Sequence, residues 1–159
     1  MAASSQGQFL LALSSVLNLD MFGNLLVKKA EGQSLDAFVG ELSERLGCGR
    51  FEERQSSNYL DERYFRASIL GVAIEVARAD EAELQEYDFW ICLQPDGVHV
   101  DDKAFFDGLA DCAARKLALL GYQVARPLNF GRAEGGATLY WPNPANGVSL
   151  RERVITEEV

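Results

Sequence analysis

The segment Arg63–Asp80, RYFRASILGVAIEVARAD, decides how this chain folds. Tyr64, Arg66 and Ser68 alternate with Phe65, Ala67 and Ile69, while Val72, Ile74 and Val76 alternate with Ala73, Glu75 and Ala77. Successive strand side chains point to opposite faces, so each half reads as a strand with one apolar and one more polar face. Leu70-Gly71 is the turn that joins them.

Upstream lies Gln55–Glu62, QSSNYLDE. Ser56, Ser57, Asn58 and Asp61 are residue types that bond their own backbone in turns, so this stretch connects a strand at Phe51–Gln55 to one that starts near Arg63. In that setting Tyr59 and Tyr64 pack across the strand pair, and Glu62 and Arg63 are solvated. Tyr59 and Arg63 also combine an aromatic ring with a fork-shaped cation, the chemistry of an interface anchor.

Farther upstream, Ser34 opens a helix. Leu35, Phe38, Val39, Leu42 and Leu46 recur at helical spacing, Ser34 caps the first turn and Gly47 suits the left-handed position after the last. Phe9, Leu10, Leu13, Val16 and Leu17 fit a first helix or a buried strand, and residues 22–29 a short strand in preference to a helical continuation. Downstream, Phe89–Pro95, FWICLQP, is so continuously apolar that it reads as a central strand. Asp101 or Asp102 caps a long helix whose stripe is Phe106, Leu109, Ala110, Ala113, Leu117 and Leu120, and Gly121 stops it. Tyr122–Arg126 and Ala137–Trp141 read as strands flanking a loop, and the end of the chain, within residues 142–159, reads as a short helix or a loosely ordered tail. This order implies a single α+β domain over residues 1–159: two layers, a mainly antiparallel sheet with helices packed on one face.

A chain of 159 residues with 48% hydrophobic and 25% charged residues can bury one core without metals or disulfides. Cys48, Cys92 and Cys112 are too few and too far apart for a zinc or disulfide framework, and Cys92 and Cys112 read as small core residues. The first residues lack the basic segment of a secretory signal, and no stretch has the apolar length of a membrane span, so a cytoplasmic location is expected.

The net charge of −9 is segregated. Residues 75–111 hold eleven acids against Arg78 and Lys103, which accounts for all of it. Nucleic acid and anionic membranes need basic clusters, so neither is expected as a partner; a protein with a basic surface is. Asp80, Glu81, Glu83, Glu86 and Asp88 would steer such a partner, with Tyr87 and Trp90 adding contact area. Phe130, between Asn129 and Gly131, is a candidate anchor in the loop before the last strand. No cofactor or metal set is indicated: His99 is the one histidine, reads as an exposed turn residue, and has no nucleophile beside it. A small hydrolase using two of the clustered carboxylates is the catalytic alternative.

RQSSNYLDERYF, followed by SILGVAIEVARAD and YDFWI, resembles immunity proteins of bacterial polymorphic-toxin systems. That resemblance spans residues 51–93 and implies a non-catalytic, acidic, single-domain protein that neutralises a toxin by binding it; it assigns no residue roles. In size, acidity and helix-strand order the chain also looks similar to type III secretion chaperones, which bind an effector segment. Oligomeric state is left open.

Overall fold

The structure is a computed structural model that describes residues 23–79, 86–96, 103–127, 136–145 and 147–153. Within them the chain runs β1 (Gly23–Lys28), α1 (Leu35–Arg45), β2 (Glu52–Gln55), a 3-10 turn (Leu60–Glu62), β3 (Arg63–Ile69), β4 (Val72–Arg78), β5 (Phe89–Pro95), α2 (Lys103–Leu119), β6 (Gln123–Pro127), β7 (Ala137–Asn143) and β8 (Gly147–Arg153). The strands form one eight-stranded antiparallel sheet in the order β2-β3-β4-β5-β1-β6-β7-β8. Both helices pack on one face of it, which makes a two-layer α+β fold.

The β3–β4 hairpin forms as its alternation requires. Ile69 pairs with Val72 across Leu70-Gly71, and both turn residues have positive φ, 50° and 77°. This turn hand matches the natural twist of paired strands. Val72, Ile74 and Val76 then point to the helices together with Phe89, Ile91 and Leu93 of β5 and Leu25 and Val27 of β1. The near-continuous apolar run of β5 is explained by its central place, with β4 on one side and β1 on the other.

Helix α1 has the expected ends. Ser34 Oγ accepts from Ala37 N at 3.1 Å, and Gly47 takes a φ of 62° just past the last turn. Leu35, Phe38, Val39 and Leu42 are buried, and Phe38 stacks on Phe89 with centroids 4.5 Å apart. Helix α2 buries Phe106, Ala110, Ala114, Leu117 and Ala118. Its small residues let it approach the sheet closely. At Gly23 of β1 an added Cβ would stand 2.9 Å from the Phe106 carbonyl oxygen and 3.1 Å from Ala110 Cβ.

Two expectations are corrected. Residues 147–153 are neither helix nor loose tail: they form β8, which pairs along all of β7 from Asn143↔Gly147 to Ala137↔Arg153. The reversal is closed by side chains, with Asn143 Oδ1 accepting from Ala145 N at 3.0 Å and Asn143 Nδ2 donating to Ser149 Oγ at 2.6 Å. Cys112 is exposed, whereas Cys92 is buried as expected. The buried stripe of α2 passes through Ala110 and Ala114, one residue pair to the side of Cys112. The proposed first helix, His99, the Asp101 or Asp102 cap, and the loop holding Phe130 lie outside the described residues.

Gly23→Ala is expected to lower stability by about 1–3 kcal/mol, because it overpacks the helix-to-strand contact. The control is Gly40→Ala on the open side of α1, where a Cβ meets nothing within 4 Å. It should raise stability by roughly 0.5–1 kcal/mol. Urea midpoints at unchanged m-value measure both.

Candidate functional site

The two-residue turn fixes more than a hairpin. With Ile69 opposite Val72, Arg66 must lie opposite Glu75, and the pairing continues across the sheet as Glu52↔Arg66↔Glu75↔Cys92↔Asn24. All these side chains share the face away from the helices. Glu75 is 9% exposed, in the middle of this row.

A buried carboxylate needs donors, and Glu75 has two. Arg66 Nη1 donates to Oε1 at 2.6 Å and Tyr59 Oη donates to Oε2 at 2.7 Å. The other Arg66 nitrogen, Nη2, donates to Asp96 Oδ1 at 3.1 Å. Hydrogen bonds from Ser68 and Arg66 hold the Asp96 carboxyl below its usual range. Tyr59 stacks on Tyr64 at 4.4 Å and on Trp90 at 5.7 Å, and Trp90 Nε1 donates to Asn24 Oδ1 at 3.0 Å. The result is a continuous polar and aromatic network from Asp96 to Asn24.

The loop that carries Tyr59 is fastened at several points. Ser56 N donates to Glu62 O, Tyr59 N to Ser56 O, and Asn58 N to Ser56 Oγ. Asp61 and Glu62 both have left-handed φ values, 60° and 56°, a conformation that costs a non-glycine residue about 1–2 kcal/mol. The ion pair between Asp61 and Arg78 holds the strained end against β4. Arg63 is only partly solvated: Nη2 donates to Asp36 Oδ1 at 2.7 Å, Nε lies 3.1 Å from Glu53 Oε1, and the guanidinium sits over the Phe65 ring.

The structure therefore brings Tyr59 and Arg63 to one end of the β2–β3 hairpin but spends both on internal partners. Tyr87 is buried among Leu26, Trp90 and Cys92 on the same sheet face. Asp88 ties strands together, with Oδ2 accepting from Lys29 N and its amide donating to Val27 O. Glu86 is exposed, while Asp80, Glu81, Glu83 and Phe130 fall outside the described residues. Among the described residues of the 75–111 window, Glu75 and Asp96 pair with Arg66, Asp107 with Lys103, and Asp111 with Arg115. Arg66, Asn24 and the burial of Glu75 were missed as site features. The available signal was a lone carboxylate inside VAIEVA, facing an arginine by turn-fixed register.

Chemically this network is closed. Burial, then the charge of Glu75, drives the Tyr59 phenol far above its ordinary value, and burial does the same to the Cys92 thiol. Both shifts run away from neutrality, so neither group is poised for proton transfer. Among the described residues no group of three or more His, Cys, Asp or Glu is placed to hold a metal ion.

The opposite face has a second feature. Between α1 and α2 an apolar groove opens over Val72, Ile74, Ile91 and Leu93. The β3–β4 turn stands at its edge, with Leu70 98% exposed and Ile69 40% exposed, and Phe105 of α2 is 47% exposed. With known proteins the chain shows no match to a family model, a curated protein or a solved structure.

Arg66→Met, which leaves Glu75 with one donor, is expected to cost about 2–3 kcal/mol, and Arg66→Met with Glu75→Leu to recover most of it. Alkali provides a separate check. The folded state keeps the raised Cys92 and Tyr59 protons beyond the pH at which an unfolded chain releases them. Their stabilisation is complete below about pH 9 for the thiol and pH 10 for the phenol, and falls above these by about 1.4 kcal/mol per pH unit per group. Tyr59→Phe should lose about 1 kcal/mol at pH 7 but decline less steeply above pH 10 in urea titrations.

Proposed function

We propose that the chain is a non-catalytic protein-binding domain that neutralises a partner, in the way an immunity protein of a polymorphic-toxin system neutralises its toxin. Leu70 carries the binding role. A two-residue turn of this hand favours Asn-Gly, and leucine in a left-handed conformation costs about 1–2 kcal/mol. Its side chain is 98% exposed, so no burial in the free protein offsets that cost. A residue at a double disadvantage in the free chain is what an anchor buried on binding requires. Ile69 and Phe105 extend the exposed apolar surface around it.

The toxin-directed role rests on the resemblance of residues 51–93, and the net charge of −9 favours a basic partner. Charge on Asp80, Glu81, Glu83 and Glu86 governs the association rate and Leu70 the dissociation rate. Among the described residues no helix is long and apolar enough to cross a membrane.

The partner to test is the C-terminal domain of a secreted protein encoded beside this chain. Cells expressing that domain should grow only when this chain is co-expressed; death despite co-expression, with no complex formed, overturns the proposal. Leu70→Asn is expected to stabilise the free protein by about 1 kcal/mol while making the complex dissociate at least about tenfold faster. An unchanged complex lifetime removes Leu70 from the interface. Charge reversal at Asp80, Glu81, Glu83 and Glu86 together should slow association about tenfold or more at low salt, with little change in dissociation.

A further inference from the structure

The groove beside Leu70 encloses about 270 Å³. Its floor is the aliphatic surface of β4 and β5, and its walls are Leu46 from the end of α1 and Leu109 and Ala113 from α2. Such a lining gives water few partners, so the space favours an apolar occupant. Among the described residues one charged side chain lines it, that of Lys116. Among the described residues Lys116 makes no ion pair, and its charge is felt at the Cys48 thiol inside the groove. The site is thus an aliphatic slot with a cation at its margin.

We propose that this groove binds a medium-chain aliphatic carboxylate, with the hydrocarbon tail between the two helices and the carboxylate on the Lys116 ammonium. The volume sets the length. At the ~30 Å³ that a water molecule occupies in the liquid, the groove holds about nine non-hydrogen atoms, enough for all the carbons of octanoate with its carboxylate oxygens at the mouth. Charge sets the head group. A chain of net charge −9 repels an anion at long range, so an anionic amphiphile is retained only where a local cation meets it. An amine head would face that cation directly. The groove shares Ile69, Leu70 and Phe105 with the surface proposed above for a partner, but octanoate binding is read on the free protein and stands or falls without that partner.

Calorimetric titration with octanoate, hexanoate, octanol and octylamine tests it. Octanoate should bind more tightly than octanol, and octanol more tightly than octylamine. Hexanoate should be about 15-fold weaker than octanoate, at about fourfold per methylene. Lys116→Gln should bring octanoate down to the level of octanol while leaving octanol unchanged. Ala113→Leu, which fills the slot from α2, should remove binding of both; an unchanged urea midpoint shows that the fold is retained. The proposal is overturned by absence of octanoate binding at about millimolar concentration, by octylamine binding as well as octanoate, or by Lys116→Gln without effect. It is also overturned if sedimentation shows a two-chain species that octanoate splits, since the occupant would then be a second copy of this chain.

Discussion

The carboxylate of Glu75 sits in the interior of the sheet, and its need for donors organises one whole side of the molecule. An uncompensated charge at that depth would cost several kcal/mol. Arg66 reaches it from the neighbouring strand because the Leu70-Gly71 turn sets the pairing, and Tyr59 reaches it from above because the 56–62 loop folds down. Once the phenol is fixed, its ring covers Tyr64 and Trp90, and Trp90 in turn is held by Asn24. Strain at Asp61 and Glu62 is sustained because Tyr59 and the Arg78 contact hold both ends of the loop.

The two faces of the sheet consequently differ in kind. One side is apolar and covered by two helices, with a slot left between them; the other is a polar and aromatic mosaic whose groups bond to one another. A saturated network specifies register and rigidity without offering reactive groups. The apolar side instead keeps unspent surface, concentrated where the β3–β4 turn meets the helix layer. Exposed apolar surface and structural specification are divided between the faces.

Much of the fold was legible because periods of 2 and 3.6 residues are written plainly in β3, β4, α1 and α2. Ser34 and Gly47 mark the ends of α1 by their backbone chemistry, and the unbroken apolar run of β5 marks a central position. The tail was not legible. GVSLRER carries few apolar residues because an edge strand has one hydrogen-bonded neighbour and abundant solvent, so its pattern resembles a loop. The site was harder still. Of the acids in residues 75–111, Glu75 lies within β4 and Asp107 and Asp111 lie on α2, while Asp80, Glu81 and Glu83 fall outside the described residues. The bond from Tyr59 to Glu75 was not legible because the two are distant in sequence and meet only through a loop fold that composition does not reveal.

Both margins of the sheet end in charge. The first, β2, is EERQ with every residue exposed, and the last, β8, runs SLRER. Among the described residues each margin has no further strand beside it, and charged residues on such an edge are a common device against strand addition. An open eight-stranded sheet is in principle a unit of a fibre. Here the charged borders work against growth of the sheet from one molecule to the next.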